Sequence, residues 1–272
     1  MSRPNTHPAR SGSTDDRRVT WVLPAYNEAA SVTDLLGRIA EVSTAQGWVW
    51  QVILVDDGST DATGELALEG ARAGLPVEVV RNEPNRGLGY SIRRGLREAS
   101  ALCGSGTTVL TMDADLTHDP CFAPAMLAKL DEGFDVVIAS RFRHGSGVEG
   151  LSVLRRFLSF AACGVVLVLR PIRGVRDYSC GFRAYRCEVI ADAFAEYGDD
   201  FVSETGFACM VEIAERLRGR AAFAEVPFVL RYQDKRKASE IRILPTIGAY
   251  FRVIRRVALG QSGSKAKKGR SQ

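Results

Sequence analysis

Hydrophobic positions along the chain fall into short apolar runs, separated by stretches in which apolar residues recur every three to four positions. The apolar runs predict five buried strands, at 19–24, 51–55, 77–80, 107–112 and 135–140. The stretches between them predict helices at 31–42, 60–73 and 89–102. Strands that alternate with helices at this spacing are typical of an α/β fold. We therefore expect a mostly parallel central sheet with helices on both faces.

The pattern changes after the flexible segment at 145–147. Residues 151–169 predict an unusually apolar helix, and residues 241–259 predict an amphipathic helix. Arginines flank both, a composition that suits a helix lying in a membrane interface, although the same faces could pack on the domain core. We favour the interface because two helices share the feature. The longest apolar run, 157–169, is shorter than the roughly 20 residues that span a bilayer, so we predict no membrane-spanning helix.

Charge is distributed unevenly along the chain. The formal net charge of the 272 residues is +4, yet residues 231–272 hold 12 Lys+Arg against 2 Asp+Glu, and the remainder holds 24 against 30. A basic tail on an acidic body favours an anionic partner such as membrane lipid, nucleic acid or a phosphorylated acceptor. A solvated tail that aids solubility is the alternative, and we favour it for residues 262–272.

These patterns also predict the domain boundaries. We expect a disordered leader at 1–17, one α/β domain at 18–240 that includes the apolar helix, the amphipathic helix at 241–259, and a basic disordered tail at 260–272. The leader has no apolar core, so it is not a signal peptide. The six cysteines show neither a Cys-x-x-Cys pair nor histidines at metal spacing. We therefore expect reduced cytosolic thiols.

Polar motifs close the first four predicted strands. They are Pro24-Ala25-Tyr26-Asn27-Glu28, Asp56-Asp57-Gly58-Ser59, Asn85-Arg86-Gly87-Leu88-Gly89 and Asp113-Ala114-Asp115. Because the carboxyl ends of parallel strands meet at one edge of a sheet, the four loops should converge on one crevice. A tyrosine ring can stack on a base, and a carboxylate can accept the protons of the base. Two glycines before a helix let backbone N–H groups approach a phosphate, to which Arg86 adds charge.

Asp113 and Asp115 are the most informative pair of residues. Two carboxylates one position apart at a sheet rim repel each other, and a divalent cation removes that cost while leaving coordination positions for phosphate oxygens. A solvated strand end or a helix cap is the alternative, but four such loops in one order are hard to explain as independent turns. His118 follows the pair and could approach the metal or a diphosphate. The first loop lacks Gly-x-Gly-x-x-Gly, which argues against a Rossmann dehydrogenase.

In this order the motifs resemble those of the family 2 glycosyltransferases, and among them the polyprenyl-phosphate hexose transferases typified by dolichyl-phosphate mannose synthases. The resemblance covers about residues 18–258. It extends to Ser140-Arg141-Phe142 and to the segment from Asp177 to Tyr185, which is similar to the Asp-x-Thr-Ser-Gly-Phe-Arg-x-Tyr pattern of that subgroup. The resemblance implies the nucleotide-diphosphosugar transferase (GT-A) fold.

The resemblance also implies a role for each motif. The nucleotide-binding residues would be Pro24, Tyr26, Glu28, Asp56, Asp57, Arg86, Gly87 and Ala114. The metal, Mg2+ or Mn2+, and the diphosphate would be held by Asp113 and Asp115. The catalytic residues would be Asp115, Arg141 and Arg155. The acceptor phosphate would be bound by Arg141, Arg155, Ser159, Lys235 and Lys237.

The implied reaction is the inverting, metal-dependent transfer of mannose or glucose from GDP-mannose or UDP-glucose to a polyprenyl phosphate. The enzyme would associate peripherally with the cytoplasmic membrane face and have no nucleic-acid partner. A cation and arginine side chains would stabilise the diphosphate leaving group. A phosphate acceptor is already anionic and needs no general base. A hydroxyl acceptor would need one, and Asp177 and Glu204 are the candidates.

Two positions depart from the pattern of that subgroup. Thr117 stands where a Gln usually provides a further metal ligand, and Lys237-Ala238-Ser239-Glu240 stands where Gly-x-Ser-Lys is usual. Glu240 reverses the expected charge, and Lys235, Arg236 and Lys237 offer compensating charge. The acceptor therefore stays open between a polyprenyl phosphate and a soluble or specialised hydroxyl compound. A binding protein without turnover is a third interpretation, which the intact acidic pair disfavours.

Overall fold

A computed structural model describes residues 17–104, 106–150, 164, 166–232 and 243–259, although the side chains of 243–247 and 258 lie outside that description. Its centre is a seven-stranded sheet. The strands of the described chain are β1 (Arg18–Ala25), β2 (Val49–Asp56), β3 (Val77–Arg81), β4 (Thr108–Thr111), β5 (Val136–Ser140), β6 (Gly147–Glu149), β7 (Arg183–Arg186), β8 (Phe223–Pro227) and β9 (Val229–Arg231). The sheet order is β3-β2-β1-β4-β7-β5-β8, and β6 pairs with β9 separately.

Parallel pairing dominates this sheet, as predicted. Only β7 runs antiparallel, between β4 and β5. The described helices are α1 (Val32–Ala45), α2 (Thr63–Arg72), α3 (Leu88–Ala101), α4 (Ala123–Asp131), α5 (Cys187–Tyr197), α6 (Ala208–Leu217) and α7 (Ile243–Ala258). The five predicted strands and three predicted N-terminal helices are all present, and their predicted bounds differ from the observed ones by at most three residues.

Helices cover the sheet by burying the faces that their spacing indicates. On α1, Leu35, Leu36 and Ile39 form the buried apolar stripe. On α3, a Cβ at Gly95 would lie 2.3 Å from Cγ1 of Val22, so only glycine lets this helix approach β1 so closely. This close packing holds the loops at the carboxyl ends of β1 and β2 against a rigid layer.

The amphipathic C-terminal helix packs on the domain with one side. Tyr250 and Val253 of α7 are buried, and the helix contacts α6. Because these two residues pack on the domain, the preference for a membrane interface over the core is wrong for that side of the helix, whereas Phe251 is exposed. Of the predicted apolar helix, residues 151–163 lie outside the description. No helix in the described ranges is long and apolar enough to cross a bilayer.

One pair of cysteines differs from the expectation of reduced thiols. Cys103 and Cys187 form a disulfide with their Cα atoms 5.6 Å apart. They follow α3 and begin α5, and 84 residues separate them in sequence, so their spacing gave no sign of the pairing. Cys121, Cys180 and Cys209 are free, and Cys163 is outside the described chain.

Candidate active site

The loops after β1 and β2 are joined at the carboxyl edge of the sheet. The amide of Asn27 donates to Oγ of Ser59 at 2.9 Å, and Oδ1 of Asn27 accepts from the amide of Thr60 at 2.8 Å. One residue further on, the amide of Glu28 donates to Oγ1 of Thr63 at 2.7 Å. The two loops therefore converge as predicted, and hydrogen bonds to side chains of both loops hold them together.

Asp56 ends β2 and is fully buried. Its Oδ1 accepts a hydrogen bond from the amide of Ser59 at 2.9 Å, and Nη1 of Arg81 lies 3.4 Å from its Oδ2. Oδ2 accepts no hydrogen bond from any described residue. A Cβ at Gly64 would lie 2.8 Å from this oxygen, so glycine at that position keeps space for the carboxylate. A buried acceptor of this kind fits a ligand that brings its own N–H donor.

Asp57, the next residue, has a different environment. Its Oδ1 accepts from Nδ2 of Asn82 at 2.8 Å and from the amide of Arg86 at 2.9 Å, and its Oδ2 accepts from the amide of Gly87 at 2.7 Å. These three hydrogen bonds fix the loop that follows β3. The geometry gives Asp57 a positioning role beside Asp56.

The glycines after β3 pack against protein. The amide of Gly89 donates to the carbonyl of Thr205 at 2.8 Å, and a Cβ at Gly89 would lie 1.7 Å from the carbonyl oxygen of Glu204. Because the amides of Arg86 and Gly87 donate to Asp57, the expectation that this loop offers its N–H groups to a phosphate is wrong. The glycines instead permit a close approach of the 203–206 segment.

The other residues expected to bind the nucleotide surround the same edge. Pro24 lies in β1 and is buried, Ala114 is buried between the two acids, and Tyr26 and Glu28 are half-buried. The exposed guanidinium of Arg86 lies 5.2 Å from the ring centroid of Tyr90. Of these five expected residues, Pro24 and Ala114 are thus buried, and Tyr26, Glu28 and Arg86 are at least partly exposed at this edge.

Asp113 and Asp115 lie in a tight loop after β4. Leu116 between Asp115 and Thr117 has a φ of 64°, in the left-handed region. Oδ1 of Asp115 accepts from the amide of Thr117 at 3.1 Å and from its Oγ1 at 2.6 Å. Oδ1 of Asp113 lies 3.0 Å from where a Cβ at Gly181 would be. The loop therefore contacts the 177–181 segment, where glycine leaves space for the carboxylate.

His118 supports this loop from behind. Its Nδ1 accepts from the amide of Asp113 at 3.2 Å, its ring stacks on Phe182 with centroids 5.6 Å apart, and its Nε2 is 4.0 Å from Sγ of Cys180. The ring is buried. The expectation that His118 approaches a metal or diphosphate is wrong, because both of its nitrogens face protein groups.

The acidic pair fits a cation that arrives with its substrate. Across the described ranges, no group of three or more His, Cys, Asp or Glu side chains could hold a metal ion. Mg2+ is commonly bound through one or two carboxylates together with substrate phosphates and water. Asp113 and Asp115 match that donor set. Thr117, at the position of the expected Gln, directs its hydroxyl to Asp115.

Arg141 and Asp177 form a two-point ion pair next to the acidic pair. Nε and Nη2 of Arg141 donate to the Asp177 carboxylate at 2.7 Å each, and Nη2 also donates to Oγ of Ser179 at 2.6 Å. Burial raises the pKa of Asp177, but the charge and hydrogen bonds of Arg141 outweigh it, so the pKa lies below the usual value. Asp177 is therefore a weak base that orients Arg141.

Glu204, the other candidate base, is also paired with arginine. Arg256 of α7 donates to Glu204 and to Ser203, and Arg252 lies 3.6 Å from Oε2 of Glu204. Both carboxylates that a hydroxyl acceptor could have used are thus held by guanidinium groups.

Two residues with no assigned role in the sequence organise the site. Gly64 leaves space for Asp56, and the buried Arg183 donates to the carbonyls of Tyr178, Cys180 and Met210 at 2.7, 2.8 and 2.9 Å. The available signals were a glycine near the start of a predicted helix and, for Arg183, its place in the motif from Asp177 to Tyr185. The predicted residues Arg155, Ser159, Lys235 and Lys237, together with Glu240, lie outside the described residues.

An acidic pair at the carboxyl end of a parallel strand is typical of the GT-A glycosyltransferases. The sequence matches the family model "Glycosyl transferase family 2" over residues 20–194. The chain belongs to this family and is a glycosyltransferase, which confirms the fold and the family expected from the motifs.

Relatives within the family act on different sugars, by their names. The chain is 30% identical over 266 residues to a dolichol-phosphate mannosyltransferase of Pyrococcus furiosus, covering 93% of this chain and 71% of that protein. It is 31% identical over 177 residues to an undecaprenyl-phosphate 4-deoxy-4-formamido-L-arabinose transferase of Salmonella newport, covering 64% of this chain. This match spans 50% of that relative.

Solved structures share the fold. A glucosyl-3-phosphoglycerate synthase of Mycobacterium tuberculosis, in complex with Mn2+, UDP and glucosyl-3-phosphoglycerate, has a TM-score of 0.58 at 22% identity, covering 92% of this chain and 82% of that one. A mannosyl-3-phosphoglycerate synthase of Rubrobacter xylanophilus has a TM-score of 0.61 at 19% identity, with coverages of 94% and 78%. At these identities the likeness concerns the fold alone.

Proposed function

We propose that this glycosyltransferase moves a hexose, mannose or glucose, from a nucleotide diphosphate sugar to a polyprenyl phosphate, with inversion at the anomeric carbon. The observation that carries the proposal is the arginine pairing of Asp177 and Glu204, the two candidate bases. A hydroxyl acceptor must lose a proton as it attacks, whereas a phosphate monoester is already anionic. The names of the relatives, which act on dolichol phosphate and undecaprenyl phosphate, support the same acceptor class.

On the donor side, Asp56 would accept a hydrogen bond from the base through its buried Oδ2, and Tyr26 would stack on the base. Asp57 would hold the loop after β3 in place, without contacting the nucleotide. Asp113 and Asp115 would hold Mg2+ or Mn2+ together with the diphosphate. When bound, the cation neutralises charge that develops on the leaving diphosphate.

On the acceptor side, Arg141 is held in one orientation before the acceptor arrives. Its two hydrogen bonds to Asp177 and one to Ser179 fix the guanidinium, so little reorganisation is needed when a phosphate binds. A phosphate oxygen attacks the anomeric carbon as the bond from that carbon to the diphosphate breaks. Arg155, Ser159, Lys235 and Lys237 would complete the phosphate site.

The acceptor class is tested by offering two lipids that differ only in the phosphate. Radiolabelled GDP-mannose and UDP-glucose are each incubated with the enzyme and either a polyprenyl phosphate or the matching polyprenol. We expect label from one donor to enter a mild-acid-labile lipid with the phosphate, and none with the alcohol. Equal transfer to the polyprenol would favour the hydroxyl-acceptor alternative, which the charge reversal at Glu240 keeps open.

We further propose that the enzyme associates peripherally with the cytoplasmic membrane face. Phe251 of α7 and Leu259, which directly follows the helix, are exposed apolar residues, and α7 also carries Arg252 and Arg255. We expect the full chain to co-sediment with anionic vesicles and to stay largely in the supernatant with neutral ones. Equal recovery with both vesicle types would contradict this part of the proposal.

A further inference from the structure

A cavity lies along β8, one of the two edge strands of the main sheet. Its volume is about 1190 Å³, and it is bounded by the end of α4, the segment after β5, residues 171–176 and β8. Its lining includes none of the donor, metal or acceptor residues assigned above. The cavity is therefore separate from the candidate active site.

The inner wall of the cavity is apolar. Ile172 and Phe223 are buried, and the partly buried Phe134 lies beside them. The wall continues along Ala221 and Ala222, just before β8, and Ala224 of β8, and ends at Pro227. Such a surface suits hydrocarbon and provides little for a small hydrated ion.

Positive charge dominates the remaining wall. The lining holds five lysines and arginines and one acid, the fully buried Glu225. Three of the five cations are paired with carboxylates: Lys129 with Glu132, Arg143 with Glu225 and Arg218 with Glu215. Oε2 of Glu225 accepts from Nε of Arg143 at 2.7 Å, and its Oε1 accepts from the amides of Arg176 and Asp177 at 2.6 and 2.7 Å. The charge of Glu225 is consequently balanced by Arg143 within the wall, and both of its oxygens accept hydrogen bonds there.

Arg173 and Arg176 carry the charge that a ligand would meet. Both side chains are exposed, and the described chain contains no ion-pair partner for either. Guanidinium groups bind phosphate through two parallel hydrogen bonds, and two arginines at one rim suit a phosphate better than a single carboxylate-sized anion.

An exposed apolar segment leads directly into the cavity wall. Leu167, Val168 and Leu169 are 39%, 80% and 52% exposed and immediately precede the 170–176 segment. Apolar residues followed by arginines along one stretch of surface match the order of hydrocarbon and headgroup in a lipid layer.

We propose that this cavity binds the phosphate headgroup of an anionic phospholipid, with Arg173 and Arg176 on the phosphate and the apolar wall along the start of the acyl chain. The inference rests on the proposed function in that the enzyme works at a lipid surface. It adds a lipid site outside the reaction centre. Glu225 links the two places, because it also holds the backbone of Asp177, the partner of Arg141.

The test is a calorimetric titration of the full-length chain with short-chain phosphatidic acid below its micelle concentration. Inorganic phosphate and phosphatidylcholine of the same chain length are the comparison ligands. The double variant Arg173→Gln/Arg176→Gln removes the rim charge and leaves Arg143 on Glu225. Arg72→Gln, at an exposed arginine of α2, is the matched control, and Arg141→Gln reports on the acceptor site.

We expect phosphatidic acid to bind the native chain. Its affinity for the double variant should be about tenfold or more lower, since hydrogen bonds to charged groups are lost. Arg72→Gln and Arg141→Gln should leave the affinity unchanged. No binding to the native chain, unchanged binding to the double variant, or inorganic phosphate binding as tightly as the lipid would each overturn the assignment. Loss of binding in Arg141→Gln would also overturn it, since the lipid would then occupy the acceptor site.

Sugar transfer measured on the same preparations separates the two proposals. A chain that binds phosphatidic acid through the cavity but transfers no sugar to polyprenyl phosphate would contradict the proposed function and leave the lipid site standing. A chain that transfers sugar to polyprenyl phosphate but does not bind phosphatidic acid would contradict only the lipid site.

Discussion

Asp56 and Asp57 are neighbours in sequence with opposite environments. One has a buried oxygen that accepts no hydrogen bond from the described residues, and the other accepts three hydrogen bonds from a neighbouring loop. The motif predicted that both lie at the site, because strand ends converge in this fold. It could not predict that the two carboxylates have different environments, since these depend on the path of the loop after β3, which is distant in sequence.

Asparagine substitutions at these two positions should therefore have different effects. Asp56→Asn keeps Oδ1 as the acceptor for Ser59 and replaces the acceptor Oδ2 with an NH2 group. The affinity for the nucleotide sugar should therefore fall about tenfold, with little change in thermal stability. Asp57→Asn places an NH2 group against backbone amides and should lower the free energy of unfolding by about 1–3 kcal/mol. Nucleotide titration and urea unfolding measure the two effects. The same loss of stability in both variants would contradict the assignment.

The ion pair of Asp177 with Arg141 makes a prediction about pH. Because the pKa of Asp177 is lowered in the folded chain, its stabilising effect is present above the ordinary aspartate pKa of about 4 and is lost as the pH falls through the lower folded value. Asp177→Asn leaves Arg141 partly buried without its partner and should cost about 3 kcal/mol or more at neutral pH.

Urea unfolding of both proteins across pH measures this effect. The difference in unfolding free energy should be constant from neutral pH down to about 4 and should shrink below it. A difference that shrinks already near pH 6 would mean that the pKa of Asp177 is raised.

At the scale of elements, the 203–206 segment connects α7 with the loop after β3. Arg256 of α7 binds Glu204, and the carbonyl of Thr205 accepts from Gly89 at the start of α3. The C-terminal helix is thereby tied to the loop that Asp57 fixes. Sequence periodicity predicted the helix but not this contact, because an amphipathic pattern does not indicate what the apolar side packs against.

Gly89→Ala tests how closely these elements approach each other. The added Cβ would lie 1.7 Å from a backbone oxygen, so we expect a loss of at least about 2 kcal/mol in unfolding free energy. Gly37→Ala is the control, because a Cβ at this position of α1 meets nothing within 4 Å and alanine favours helix by about 1 kcal/mol. We expect the thermal unfolding temperature to fall in Gly89→Ala and to rise in Gly37→Ala. A Gly89→Ala chain as stable as the native one would contradict the packing.

Strand β7 and the Cys103–Cys187 disulfide show where pattern analysis stops. The four residues of β7 include two arginines, one of them fully buried, so the strand has no apolar run to indicate it. The disulfide joins the end of α3 to the start of α5, which become neighbours only because β7 lies beside β4 in the sheet. Both features depend on the order of strands in space, which hydrophobic spacing does not encode.

At the scale of the whole molecule, the motif order predicted the family, and the family model confirms it. The charge asymmetry predicted an anionic partner without naming it. That prediction concerned residues 231–272, of which the structure describes 231, 232 and 243–259. The two anion sites proposed above, at Arg141 and in the cavity with Arg173 and Arg176, lie outside that segment. The departures at Thr117 and Glu240 bear on the identity of the acceptor, so the chemical structure of the reaction product decides between the acceptor classes.

Phosphorus and proton NMR of the purified product test the central claim most directly. Native enzyme, donor and polyprenyl phosphate should give a phosphodiester in which the anomeric proton couples to phosphorus and has the configuration opposite to the donor. Asp115→Asn should give no product while remaining folded, with Asp131→Asn, at an exposed acid, as the active control. A retained configuration, a phosphate that stays a monoester while the sugar is transferred, or full activity of Asp115→Asn would contradict the account.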